Sequence, residues 1–344
     1  MINSSDERIN LMRLTDIYGP IKAELKRVED ILAERLGGRG RGVMSEINRY
    51  LLSAKGKRLR PALAILSARA SSKRQSSVSV RPLVRLASAL ELTHMASLVH
   101  DDVIDKSDLR HNRPTINSKW GDDVSVAAGD YLYSEAFSLI SDCDNPDIIA
   151  CMSSAIKAMC EGELIQVCER ENLELLKHSY VVIVKKKTAA LFAASCHAGT
   201  MLTSEDPCVR SSLRKFGLNF GIAFQMRDDC MDLIGEVRTL GKAPGADFKM
   251  GELTLPVLKL LSQKKDKDRI VSLLKQSGDV GAFEEMRDRF INSGALVKAR
   301  DEISYYVDKA KSSLNVLDRS CFKDNLIALA DYVNEGLSAY DNSR

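Results

Sequence analysis

Six aspartates repeat one spacing twice. Asp101, Asp102 and Asp105 lie in SLVHDDVID, and Asp228, Asp229 and Asp232 lie in FQMRDDCMDLIG. Residues four apart stack on one face of a helix, so Asp101 pairs with Asp105 and Asp228 with Asp232. Stacked like charges destabilise a bare helix by roughly a few tenths of a kcal/mol per pair. Partial burial makes this worse unless a cation sits there. Magnesium fits such carboxylates, because it keeps several waters and binds one or two carboxylates plus substrate phosphates. Two pairs facing each other across a helical bundle would clamp a diphosphate from both sides. A single cluster reads most simply as an acidic, solvated helix face. Here each cluster ends a strongly apolar helix and precedes a loop with basic residues, and this happens twice.

The chain also supplies donors for an anion. Gly56-Lys57-Arg58-Leu59-Arg60-Pro61 sits at a helix junction, and Pro61 suits the first turn of a helix whose amides can face an anion. Arg110 and Arg113 follow the first cluster. Lys185, Lys186, Lys187 and Thr188 interrupt an apolar run from Tyr180 to Phe192, where charge is costly without a partner. Lys185 and Lys186 fit surface charge equally well. His94 lies two helical turns before Asp101 and shares its face, which makes it a candidate phosphate donor.

Positioning these groups requires helices. Nearly every long segment has the i, i+3, i+4 apolar period. The pattern predicts helices over 16–36, 43–54, 60–72, 80–105, 121–141, 146–171, 174–203 and 207–235. Shorter ones follow over 253–264, 266–277, 281–293, 296–317 and 322–341. The segments 80–105, 121–141, 174–203 and 207–235 are apolar over most of their circumference and belong at the centre of a bundle. The loops 106–119 and 236–252 follow the acidic clusters. No alternating strand pattern and no linker is visible. The expected fold is therefore all-α, one large helical bundle over 1–344 around a central active-site cavity, with its motifs in about 43–265.

Of the 344 residues, 44% are hydrophobic, 28% charged and only 6% aromatic, a balance that favours helix over sheet. The net charge of +3 gives no nucleic-acid footprint. Eight cysteines without a C-x-x-C pair read as reduced core residues. The polar N-terminus and the absence of a long apolar run predict a soluble, cytoplasmic protein without a transmembrane segment.

The series GKRLRP, HDDVID with a downstream arginine, KTAALF and FQMRDDCMDLIG resembles the trans-isoprenyl diphosphate synthases, in the family's order, from about Lys57 to Pro256. The resemblance implies a magnesium-dependent enzyme of the isoprenoid synthase fold, with three ions per site. It would join isopentenyl diphosphate head-to-tail to an allylic diphosphate. Asp101, Asp105 and Asp228 would be the principal metal ligands, with Asp102, Asp229 and Asp232 binding directly or through water. Lys57, Arg60 and His94 match positions that hold isopentenyl diphosphate. Arg110, Lys187, Thr188, Gln225 and Lys242 match those that hold the allylic diphosphate.

Two departures stand out. The family's paired arginine is replaced by Arg110-His111, so His111 or Arg113 must stand in at the isopentenyl site. Glu252 replaces a lysine in the loop before Thr254-Leu255-Pro256.

Ala96 and Ser97 lie five and four residues before Asp101, where the family's short-chain members carry bulky aromatics. Their small size implies a long-chain product, with Tyr133 and Phe137 as a floor further down. The family also implies a homodimer. Alternatives are the catalytic subunit of a two-chain synthase with a small partner, or a short-chain farnesyl or geranylgeranyl diphosphate synthase.

Overall fold

Helix starts and stops follow local chemistry. Asp206 accepts from the Cys208 amide at 2.8 Å, and Pro207 opens the longest helix. Asn172 and Asp279 cap two others by accepting from the Leu175 amide at 3.1 Å and the Ala282 amide at 2.8 Å. The structure is a computed structural model that describes residues 13–37, 42–54, 56–73, 78–110, 112–169, 172–235, 245–263, 266–335 and 337.

The helices are α1 (Leu14–Ile17), α2 (Lys22–Leu36), α3 (Val43–Leu52), α4 (Leu59–Ser71), α5 (Val80–Ile104), α6 (Ile116–Trp120), α7 (Asp122–Ser141), α8 (Pro146–Glu169) and α9 (Leu173–Ile183). A π-helical turn, Val184–Ala189, leads into α10 (Ala190–Met201), followed by α11 (Pro207–Ile234), α12 (Ala246–Lys249), α13 (Leu255–Leu261), α14 (Lys267–Leu274), α15 (Val280–Asn292), α16 (Ala295–Ser313) and α17 (Cys321–Glu335). The all-α expectation holds. Among the described residues the one β-element is a hairpin of two-residue strands, Leu109–Arg110 with Arg113–Pro114. It lies in the loop after the first acidic cluster, where the sequence pattern is too short to signal strands.

Helix α10 is the hub. It packs against α4, α5, α8 and α11, and nine of its twelve residues are buried, Phe192 and Cys196 with zero exposure. A Cβ on Gly199 would stand 2.3 Å from the Ala64 carbonyl oxygen, so the glycine lets α4 and α10 touch backbone to backbone. Phe192 meets Phe220 and Phe224 of α11 at centroid distances of 5.3 and 5.4 Å. The buried apolar residues form one contiguous cluster from Ile17 to Leu337. Helices α5 and α11, which carry the two acidic clusters, thus flank the same central helix.

Three expectations are corrected. The helix expected over 174–203 contains the π-turn, which inserts one extra residue and re-aims the lysine cluster. Cys160, Cys168, Cys208 and Cys321 are exposed, so only part of the cysteine set belongs to the core. The segment 121–141 is not central throughout. Its α7 packs mainly on α5, and its far face leaves Val126 46% and Phe137 38% exposed. Phe137 is therefore partly exposed rather than sealed in the core. No helix among the described residues is long and apolar enough to cross a membrane.

Candidate active site

Asp101 and Asp102 occupy the last turn of α5, and Asp105 caps it. The three carboxylates differ. Asp102 is buried and accepts from Arg110 Nε at 2.8 Å, across the turn into the hairpin. Burial still raises its pKa, because desolvation outweighs the arginine. Asp101 faces Lys187. Burial pushes its pKa up to about 6, with Glu163 and Asp105 adding to the rise while Lys187 and Arg110 oppose it. This is a partly dehydrated acidic group in need of more cation than the protein supplies.

The second cluster is sorted the same way. Asp229 is buried and accepts from Tyr180 Oη at 2.7 Å, Gln225 Nε2 at 2.8 Å and the Leu255 amide at 3.3 Å. Burial raises its pKa to about 7 in spite of these donors. Asp232 is buried and accepts from the Asp247 amide at 3.0 Å. Asp228 is the open member, with 44% of its side chain exposed.

Adjacent residues of the π-turn join the two clusters. Lys187 is paired with Glu163 at 2.6 Å and lies within electrostatic reach of Asp101 and Asp105. Burial alone would lower its pKa, but those carboxylates hold it above the ordinary lysine value. Thr188 Oγ1 donates to Gln225 Oε1 at 2.8 Å, and Gln225 passes the contact on to Asp229. The rest of the cluster has been separated from the site. Lys185 is exposed, and Lys186 pairs with Glu161 at the surface.

Two functional candidates were missed in the sequence, Glu163 and Gln166 of α8. Gln166 Oε1 accepts from Lys187 Nζ at 3.1 Å, and its Nε2 donates to Glu252 Oε1 at 2.7 Å. Glu252, the departure noted above, is thereby linked to Lys187 through one side chain. The available signal was Gly162-Glu163-x-x-Gln166. A Cβ on Gly162 would stand 2.6 Å from the Lys187 backbone nitrogen. The glycine allows the contact, and Glu163 and Gln166, one turn apart on the same face, meet the lysine.

The basic entry is built on a left-handed residue. Arg58 has φ 51°, rare for a non-glycine, and is held by Glu29 at 2.6 Å and Glu91 at 2.7 Å. That turn leaves Lys57 exposed, its carbonyl accepting from Tyr18 Oη at 2.8 Å. Arg60 is folded inward, 4.4 Å above the Phe192 ring. Burial lowers the Arg60 pKa to about 10, against the opposing pull of Glu91 and Asp228. His94 is half-buried on α5, two turns before Asp101.

Arg113 does not turn toward this entry. It donates to Ser53 Oγ at 2.7 Å and lies 4.3 Å above the Tyr50 ring. His111 and Lys242 lie outside the described residues. Ala96 has no exposed surface and packs in the core, whereas Ser97 is half-buried and donates to the His94 carbonyl at 2.9 Å. Tyr133 lies 5.8 Å from the His100 ring and within electrostatic reach of Asp101.

The donor set fits magnesium shared with phosphate. Its members are carboxylate oxygens, burial leaves Asp101 short of positive charge, and cations line the approach. Among the described residues no three His, Cys, Asp or Glu side chains converge to hold an ion.

An all-helical bundle with paired acidic clusters and a basic entry defines a diphosphate-handling enzyme. Residues 41–288 match the polyprenyl synthetase family, and the chain belongs to it. It is a prenyltransferase of the prenyl diphosphate synthase class. It is 33% identical to heptaprenyl diphosphate synthase component 2 of Geobacillus stearothermophilus, over 94% of this chain and 99% of the relative. It is 34% identical to a short chain isoprenyl diphosphate synthase of Methanothermobacter thermautotrophicus, over 83% of this chain and 88% of the relative. The crystal structure of a polyprenyl synthase from Caulobacter crescentus, complexed with calcium and isoprenyl diphosphate, superposes with a TM-score of 0.86 at 31% identity. That match covers 94% of this chain and 98% of that one.

Proposed function

We propose that this chain adds isopentenyl diphosphate units head-to-tail to an allylic diphosphate, giving a long all-trans polyprenyl diphosphate. The observation that carries the reading is the π-turn, where Lys187 serves the first acidic cluster and Thr188, through Gln225, serves the second. A diphosphate held there would meet Asp101, Asp105 and Asp228, with Asp102, Asp229 and Asp232 behind them. Magnesium, when bound, would neutralise the charge that develops on the departing diphosphate.

The chain's own residues do the rest. Lys187, Thr188, Gln225, Arg110 and Lys242 hold the allylic diphosphate in place. Lys57, Arg60, His94 and His111 orient the isopentenyl diphosphate so that its double bond faces the allylic carbon. The apolar wall of α5 and α10 keeps water from the cationic centre. Small Ser97, one turn below Asp101, favours a long product over a short one.

The chain is read as a single domain working in the cytoplasm as a homodimer. The name of the Geobacillus relative supports a second reading, in which this chain is the catalytic half of a two-chain synthase.

The test is incubation of the purified chain with magnesium, labelled isopentenyl diphosphate and farnesyl diphosphate, followed by sizing of the products. Products several isoprene units longer than the primer are expected. No elongation by the chain alone favours the two-chain reading, and products ending after one addition overturn the long-chain assignment.

A further inference from the structure

Arg227 precedes Asp228 on α11 and takes no part in the acidic cluster's hydrogen bonds. It is only 8% exposed, and its Nε and Nη1 have no hydrogen-bond partner among the described residues. Its Nη1 lies 3.8 Å from Asp228 Oδ1, beyond hydrogen-bond length. Its guanidinium carbon lies 5.4 Å from the Tyr332 ring of α17. Arginine keeps its proton under all ordinary conditions, so a buried guanidinium with two idle nitrogens needs an anion.

Arg60 is in the same condition on the opposite wall. Its Nε has no hydrogen-bond partner among the described residues, and it senses both Glu91 and Asp228. The contacts between these arginines form a ring. Tyr332 is electrostatically coupled to Tyr18, Tyr18 donates to the Lys57 carbonyl, and Tyr18 also senses Glu91. Glu91 is engaged by Arg58 at 2.7 Å. Of the carboxylates facing this ring, Glu91 already has a partner and Asp228 belongs to the acidic cluster. Arg60 on α4 and Arg227 on α11 thus both lie near Asp228, each with a side-chain nitrogen that has no hydrogen-bond partner among the described residues, and Lys57 stands exposed just before α4.

We propose that Arg227 is a substrate-binding residue that grips the diphosphate of the isopentenyl substrate together with Lys57 and Arg60. The inference rests on the placement of that substrate made above. It assigns the role of an additional arginine to α11, while Arg113 is turned away toward Ser53 and Tyr50.

The experiment compares wild type, Arg227→Gln and Arg227→Lys in steady-state elongation with magnesium. It also records the thermal shift produced by isopentenyl diphosphate alone. Loss of a charge-assisted, two-nitrogen contact should raise the KM for isopentenyl diphosphate roughly tenfold or more in Arg227→Gln. The KM for the allylic diphosphate should stay within about twofold. The wild-type thermal shift should disappear in Arg227→Gln and partly return in Arg227→Lys, which keeps the charge without the fork.

An unchanged KM for isopentenyl diphosphate, or an equal rise in both KM values, overturns the proposal. So does failure of both variants to fold, which would assign Arg227 to packing on Tyr332. Absence of elongation and of any thermal shift in the wild type would instead remove the substrate placement itself.

Discussion

Replacing Asp229 by asparagine should stabilise the ligand-free protein at alkaline pH. Asp229 is buried, and its pKa is raised from 3.8 to about 7. In the unfolded chain it loses its proton near 3.8; in the folded chain it keeps the proton up to about 7. Between these values the folded state binds more protons, so stability falls as pH rises. Above about 7 the full penalty stands, and below about 4 it is gone. The full penalty is roughly 4 kcal/mol at 1.36 kcal/mol per pH unit.

Asparagine removes this titration but obliges Gln225 to reverse its amide, at about 1 kcal/mol for the disturbed hydrogen bonds. The net gain is then about 3 kcal/mol at pH 8.5 and about 1 kcal/mol at pH 5.5. The gap between variant and wild type should widen by about 2 kcal/mol over that range. With an unfolding entropy near 2.1 cal/mol/K per residue, this is about 3 °C in Tm for a chain of this length. Thermal melts followed by circular dichroism at the two pH values make the comparison. A variant less stable than wild type at pH 8.5, or a gap that does not change with pH, refutes the reasoning.

Ser97→Phe should shorten the products while changing Tm little, whereas Ala96→Phe, forced into a site with no exposed surface, should lose about 1–3 kcal/mol by overpacking; product sizing and melts of both variants separate the two positions. Lys187→Met leaves Glu163 buried beside Asp101 without its 2.6 Å partner and should cost about 3 kcal/mol. Adding Glu163→Gln should restore most of that stability without restoring elongation, which a denaturation series and an activity assay on the double variant will check. Gly162→Ala places a methyl 2.6 Å from the Lys187 backbone nitrogen, so it should lower both Tm and kcat, with a loss of about 1–3 kcal/mol expected from the melt.

The aspartate clusters were legible because their chemistry lies within one helix turn. An i, i+4 pair of carboxylates is visible without knowing what faces it. The contacts that make Lys187 useful are different in kind. Glu163 and Gln166 lie 24 and 21 positions before it in the chain, in a stretch that reads as an ordinary amphipathic helix. The π-turn is equally hidden, because one extra residue scarcely alters an apolar period. Its trace is the run of three lysines and a threonine: on a regular helix Lys187 and Thr188 diverge by about 100°. Ala96 and Ser97 were equal candidates for the same reason in reverse. Adjacent positions on a helix point to different neighbours, and only packing shows that Ala96 is sealed in the core while Ser97 stays half-buried. The open face of α7 was misread because an apolar circumference shows how much a helix wants covered, not which elements cover it.

The repeated aspartate spacing does more than gather ligands. In the first cluster Asp102 ties down the following loop, through its side chain to Arg110 and through its carbonyl, which accepts from the Ser107 amide at 2.9 Å. In the second, the Asp232 side chain and carbonyl accept from Asp247 and Gly245, and Asp229 accepts from Leu255. Each cluster thus divides its carboxylates between anchoring the next loop and facing the site, where Asp101 and Asp228 stay more accessible. A cation drawn to the accessible members would lower the repulsion felt by their buried neighbours and so strengthen the loop anchors as well.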